Sequence, residues 1–412
     1  MVILALLGLA SGLPFYLTSR VLQAWMRVEN VDLATIGLFS LVALPYSLKF
    51  FWAPIMDRYV PPFLGRRRGW MIVTQIALLI VIAAMSLQDP SRSIQLLAIN
   101  AILIAFFSAS QDIVADAYKV DVLSEREFGA GAAIFVLGYR VALLATGALA
   151  FVLADRMTWP TVYLLLSLLM LVGIVAVLIA PEPKLQQPPP QTFLQAVFLP
   201  FGEFFGRGGL IRGLLVLAFI VLYKLPDAFG NAMAVPFLLD LQFTQADIGA
   251  IQGGLGILAT ILGTVVGGSI VFRVGINRSL WLFAALQALS NLGYYALALI
   301  GKQYAMLVTA MLVENFCTGL VAAGFAAFLI SLCSTRFSAT QYALLSSLLG
   351  VSRDLLTAPA GVIADWTGWP TYFLLTLLIA VPGSLLLPMF VPWDRGSPLL
   401  AAPRPANPRP PS

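Results

Sequence analysis

The chain has 412 residues, 60% of them hydrophobic and only 10% charged, with a formal net charge of +5 and a mean hydropathy of +0.92. Soluble domains carry roughly a quarter charged residues, so a soluble globular protein is excluded and an integral membrane protein indicated. The apolar runs are about 20 residues long and do not alternate, which favours membrane helices over a β-barrel. Cys317 and Cys333 give neither a disulfide framework nor a metal pattern, and no cofactor or metal is expected. There is no histidine, so any proton relay relies on carboxylates. The positive charge bears on membrane orientation; no nucleic-acid partner is expected.

In chain order, the first apolar run begins almost at Met1. It lacks the basic leader of a signal peptide and carries Arg20, Gln23 and Trp25, so it is read as a retained span. Apolar runs set against charged or Pro/Gly breaks predict spans near 2–27, 35–57, 69–88, 93–121, 127–154 and 158–180. A proline-rich linker, PEPKLQQPPPQ (181–191), leads into TFLQAVFLPFGEFFGR (192–207), which is expected to lie along the membrane surface. A second set of spans follows near 210–239, 246–272, 279–300, 303–333, 339–364 and 368–391. The proline-rich tail, residues 392–412, is expected to be disordered.

The two sets repeat. LADRMTWPTVYLLL (153–166) answers to IADWTGWPTYFLLT (363–376), pairing Trp159–Pro160–Thr161 with Trp369–Pro370–Thr371 at an offset of 210. Leu13–Pro14 and Leu225–Pro226 are each followed, 22 residues after the proline, by Ile-Gly, at an offset of 212. A duplicated six-helix unit explains both matches. The expected fold is an all-α membrane protein of twelve transmembrane helices in two pseudo-symmetric six-helix bundles, residues 1–180 and 210–391, joined by a cytoplasmic linker, 181–209. That is the plan of the major facilitator transporters. With the linker cytoplasmic, fourteen basic residues fall on its side and four on the other, which places both termini in the cytoplasm.

Six basic residues remain inside spans: Arg20, Lys49, Lys119, Arg140, Lys224 and Arg353. The acids nearest the interior are Asp112, Asp116, Asp227, Glu314 and Asp354. Intramembrane charges are costly unless paired or wet, so these residues mark a polar cavity. In the facilitator plan the first, fourth, seventh and tenth helices line it, and they hold Arg20, Asp112/Asp116/Lys119, Lys224/Asp227 and Glu314. Ser108, Asp112, Asp116 and Lys119 fall within an arc of roughly 80° and form one stripe down the fourth helix. Asp121 points the other way. Asp116 and Lys119 are one turn apart, suited to an ion pair that latches a gate. Asp112 is deeper and is the first choice for protonation, with Asp116, Asp227 and Glu314 as further candidates. Arg140, near the middle of the fifth helix, is the expected partner of Asp112 or an anchor for a substrate carboxylate, and Arg353 is its counterpart in the second half. Lys49 is suited to snorkel outward.

In APIMDRYVPPFLGRRRGW (53–70), Asp57 can sit at a neighbouring helix's N-terminus while Arg66–Arg68 stay in the cytoplasm. With Arg58, it reads as a gate and topology element, not a substrate site. The matching loop of the second half, GGSIVFRVGINRS (267–279), has no acid.

QAW (23–25), ATIGLFSLVALPYSLKFFWAPIMDRYVPPFLGRRRGW (34–70), SASQDIVADAYKVDVL (108–123), GAGAAIFVLGYR (129–140), VLYKLPDAF (221–229) and FSATQYALLS (337–346) together closely resemble the AmpG muropeptide permeases of Gram-negative bacteria. The resemblance runs over nearly all of residues 3–390. It implies a multi-pass inner-membrane carrier importing N-acetylglucosaminyl-anhydro-N-acetylmuramyl peptides from the periplasm for peptidoglycan recycling, driven by the proton motive force and linked to β-lactamase induction. The chain lacks the short cytoplasmic lead of that family, which points to a truncated start, and the proline-rich tail lies outside the family pattern. The partners implied are the anhydromuropeptide, the proton and the bilayer, with the carrier a monomer. A disaccharide-peptide needs aromatic faces, amides and cations. The candidates to supply them are Trp25, Tyr139 and Tyr223, then Gln23, Gln111 and Asn315, with Arg140, Lys224 and Arg353. Two other readings are a facilitator for another bulky anion such as an acyl-CoA, and a non-transporting membrane sensor or scaffold. An enzyme is not expected, for want of a nucleophile–base pair, metal cluster or phosphate loop.

Overall fold

In lipid, each backbone N–H and C=O must be satisfied within its own segment, so the apolar runs fold as helices. The computed structural model describes residues 1–31, 35, 39–90, 92–183, 192–244, 247–248, 251–350, 356–357 and 359–390. In the first half the helices are α1 (Val2–Leu17), α2 (Arg20–Val28), α3 (Leu44–Leu48), α4 (Ala53–Arg58), α5 (Arg66–Ala84), α6 (Ile94–Val122), α7 (Phe128–Ala154), α8 (Trp159–Ser167) and α9 (Met170–Ile179). A linker helix, α10 (Phe193–Gly206), precedes α11 (Leu210–Asp240), α12 (Ile257–Val274), α13 (Ile276–Ile300), α14 (Tyr304–Leu332), α15 (Ser338–Gly350), α16 (Ala360–Thr367) and α17 (Trp369–Phe390). Ten helical stretches among the described residues are long and apolar enough to cross a membrane.

Of the predicted spans that depart from a continuous rod, the first, second and eleventh depart most. The first breaks between α1 and α2, four residues after Pro14, where the hydroxyls of Thr18 and Ser19 both donate to the Phe15 carbonyl. Proline and back-bonding hydroxyls are standard causes of such bends. The second, 35–57, is segmented into 3₁₀ turns and the short helices α3 and α4, each starting at a proline, Pro45 and Pro54, that has no N–H to give the preceding turn. The eleventh is divided into α15 and α16, with 351–355 outside the described residues.

Within the first half, α1 and α7 cross at backbone contact. A Cβ on Gly8 would lie 2.1 Å from the Phe135 carbonyl oxygen, and one on Gly138 equally close to that of Ala5. Helix–helix association in lipid relies on such small residues, since burial against lipid tails gives little drive.

The apolar cores show how the halves meet. On the side away from the linker there are two separate cores. One, around Trp25, Leu97 and Tyr163, belongs wholly to the first half, and the other, around Phe237, Tyr294 and Phe373, wholly to the second. On the linker side the cores mix: Ala339 and Ala343 of α15 join Tyr118 and Phe135, while Val120 and Ala132 join Phe219 and Leu320. The halves are therefore clasped on the linker face.

Candidate transport site and the latch between the halves

The polar stripe of α6 is buried except at Asp112, which is half-buried, and Asp116 and Lys119 find charged partners. Lys119 Nζ lies 2.7 Å from Asp116 Oδ1, and Lys49 Nζ lies 3.7 Å from Asp116 Oδ2. Lys49 therefore points inward, 7% exposed, rather than snorkelling. The short segments of the second passage turn it toward α6, where Trp52 Nε1 also donates to Ser110 Oγ at 3.0 Å. Lys119 in addition stands 3.7 Å from the ring centre of Phe135 and 5.2 Å from that of Tyr342, a residue of the second half.

Asp112 makes no ion pair among the described residues; the charged groups that act on it most are Lys49, Asp116 and Lys119. The expected pair with Arg140 is not formed, because the cations nearest Asp112 come from the second passage and from its own helix. Around it stand the buried hydroxyls of Ser11 and Ser108 and that of Tyr46, with Ser11 directed at Asp112 and Tyr46 at Ser108. Arg140 is half-buried and has no carboxylate partner among the described residues. Tyr139 is also half-buried.

The second half holds a tighter cluster. Lys224 Nζ contacts Asp227 Oδ2 at 2.6 Å. Asn231 Nδ2 donates to Asp227 Oδ1 at 3.0 Å and to Glu314 Oε1 at 3.3 Å. The Thr318 hydroxyl lies 3.4 Å from Asp227 Oδ1 and 3.2 Å from Glu314 Oε1, and Gln287 Nε2 reaches Asp227 Oδ1 at 3.5 Å. Two turns of α11 place Lys224, Asp227 and Asn231 on a common face. The same spacing on α14 sets Glu314 and Thr318 opposite.

Four candidates for substrate contact are held in packing. Trp25 is 1% exposed and sits against Tyr163, its ring centroid 5.1 Å away, so it belongs to the core of the first half. Tyr223 stacks on Phe325 at 5.2 Å and donates to the Leu280 carbonyl at 2.9 Å. Gln111 is fully buried, its Oε1 bound by the Thr74 hydroxyl. Asn315 bridges α12 and α14 through Thr260 and the Met311 carbonyl. Gln23 is exposed. Arg58 lies over the Tyr59 ring, 4.9 Å from its centre. Arg353 and Asp354 lie outside the described residues.

The loop between the second and third passages forms the latch. Asp57 is fully buried and accepts from the backbone N–H and hydroxyl of Thr340, each at 2.8 Å, at the N-terminus of α15. Arg67 spans Asp57 at 3.0 Å and Asp121 at 2.6 Å and donates to Ser338 Oγ at 2.6 Å; Ser338 in turn donates to Asp121 at 2.7 Å. Arg66 reaches Asp121 at 3.7 Å and the Thr335 carbonyl at 3.4 Å. Arg66 and Arg67 are thus buried in the contact between halves rather than left in solvent, because two carboxylates and a helix terminus give them partners. Arg68 binds the Val177 and Leu178 carbonyls. Next to the latch, Gln341 Nε2 donates to Glu203 and to the Pro200 carbonyl of α10, tying the linker helix to α15.

The sequence matches the Major Facilitator Superfamily over residues 4–357. It is 48% identical over 387 residues to the anhydromuropeptide permease of Escherichia coli strain K12, covering 93% of this chain and 78% of that protein. A Haemophilus influenzae protein is 40% identical over 397 residues, covering 94% of this chain and 93% of its own length. The solved structure of the proton:xylose symporter XylE bound to 6-bromo-6-deoxy-D-glucose superposes with a TM-score of 0.71 over 97% of this chain and 96% of its own, at 12% identity, a likeness of fold.

Proposed function

The chain belongs to the major facilitator superfamily, and from that premise we propose that it is a proton-coupled carrier importing anhydromuropeptides across the bacterial inner membrane. The 48% identity over 93% of the chain to an anhydromuropeptide permease carries the substrate reading. Proton coupling is supported by carboxylates held deep among apolar helices, Asp112, Asp116, Asp227 and Glu314, where an uptake and release of charge is most strongly felt. The two six-helix bundles, 1–180 and 210–391, rock about the polar clusters, and the linker face is cytoplasmic, as the distribution of basic residues argues. Half-buried Arg140, without a carboxylate partner among the described residues, anchors a peptide carboxylate of the substrate.

Uptake of labelled anhydromuropeptide into vesicles, with and without an imposed pH gradient, tests this. Accumulation should appear only with the gradient, should be competed by unlabelled muropeptide and should be indifferent to coenzyme A esters. Equal uptake in both conditions would overturn the coupling, and competition by the esters would overturn the substrate class.

A further inference from the structure

We propose that Asp227 and Glu314 hold one proton between them at neutral pH, with Asn231 and Thr318 bridging the two carboxyl groups. This makes the second-half pair the seat of the coupling proton, and it rests on the proton-coupled reading above for its role in transport.

The two intramembrane clusters differ in charge balance. In the first half, Asp112 and Asp116 face two lysines, Lys49 and Lys119, so the described charges cancel with every group ionised. In the second half, Asp227 and Glu314 face Lys224 alone among the described residues. Glu314 is 4% exposed and makes no ion pair among the described residues. An unpaired charge buried in this way is costly, and a bound proton removes it. The geometry suits a shared proton, since both carboxyl groups reach the same two groups, Asn231 Nδ2 and the Thr318 hydroxyl. The hydroxyl can donate its one hydrogen to the ionised carboxylate while accepting from the protonated one. Two carboxyl groups brought together in this way do not ionise independently. The other titratable side chains facing the pair are Tyr223 on α11, Tyr294 on α13 and Cys317 on α14, none of which supplies a positive charge.

The pair also has access on two sides. Asn231 is exposed. Behind Asp227, a small pocket between α11, α13 and α17 has room for about one water, and the buried, unpartnered Gln287 Oε1 is on its lining residue.

Infrared difference spectroscopy on the purified carrier, titrated with pH in the absence of substrate, reads the proton directly as the stretch of a protonated carboxyl group. At neutral pH the wild type should show this band. Made in an Asp112→Asn background, so that the first-half carboxyl adds no band of its own, Glu314→Gln and Asp227→Asn should each abolish it, because each leaves one carboxylate matched by one lysine. Asp112→Asn should leave it in place. No band in the wild type, survival of the band in both second-half variants, or its loss in Asp112→Asn would overturn the proposal. Because no substrate is present, a wild type that shows the band but takes up no muropeptide would refute the transport reading while leaving the shared proton standing.

Discussion

Asp57 and Thr340 lie 283 positions apart, yet one carboxylate oxygen of the first takes both the backbone N–H and the hydroxyl of the second at 2.8 Å. A carboxylate of the first half thus caps a helix of the second, combining an ion-pair network with a favourable helix terminus. Replacing Asp57 with Ala leaves Arg67 with Asp121 and Ser338 and removes the carboxylate that caps α15. Breaking a buried pair by removing one partner costs about 3 kcal/mol, or roughly a hundredfold in the opening equilibrium. Amide hydrogen exchange across residues 338–343 measures this, and the Asp57→Ala chain should exchange far faster there. Unchanged protection at Thr340 would rule the latch out.

Gly268 should act on the same closure by bulk instead of charge. A Cβ there would lie 2.2 Å from the Ala133 Cβ, in the contact between α12 and α7 that joins the halves. Gly268→Leu should wedge the linker face apart. Spin labels at the exposed positions Arg126 and Arg273, one on each half, should then report a longer mean separation. No change in separation would show that the halves yield locally around the new side chain.

For Arg140 the expected defect is in binding. Loss of a charge-assisted, bidentate contact costs roughly 2 kcal/mol, so Arg140→Ala should raise KM for the peptide-bearing substrate by roughly thirtyfold. Amidating the peptide carboxylates should shrink the difference between variant and wild type. An equal defect for free and amidated substrates would assign Arg140 to structure.

Trp25 carries the opposite expectation. Its ring is packed on Tyr163 and its Nε1 is buried without a partner, so Trp25→Phe removes an unsatisfied donor along with some packing area. The net change in stability should stay within about 1.5 kcal/mol, and KM should be unaffected. A large rise in KM in uptake assays would restore Trp25 as a sugar platform.

Much of the architecture was legible because helices in lipid announce themselves by run length, and the duplication left matching words such as Trp159–Pro160–Thr161 and Trp369–Pro370–Thr371. The Asp116–Lys119 pair was legible for the same kind of reason, since one helical turn fixes its geometry. Contacts across helices were not. Lys49 looked free to reach outward because its span reads as one rod, whereas the prolines at 45 and 54 segment it and turn the lysine toward Asp116. Arg140 looked like the partner of Asp112 because both lie deep, but depth says nothing about rotation around a neighbouring helix axis. Thr318 carried no signal of its own. Hydroxyls are common in membrane helices, and only its position one turn after Glu314, opposite Asp227, gives it a role. Trp25 shows the converse: an aromatic of a helix expected to line the cavity packs instead on Tyr163, on the short helix that follows the break at Thr18–Ser19.

The sealing of the latch has a consequence for its surroundings. Arg67 and Asp57 are 1% and 0% exposed, so dissolved ions cannot enter between them. Mobile salt weakens attractions between surface charges over a Debye length of about 8 Å at physiological strength, but it screens a dry pair far less. A gate held by exposed charges would loosen whenever the ionic strength beside it rose, as it does when a cell loses water. The buried contact between the halves is insulated from such swings, and its opening should be insensitive to the osmotic condition of the cell.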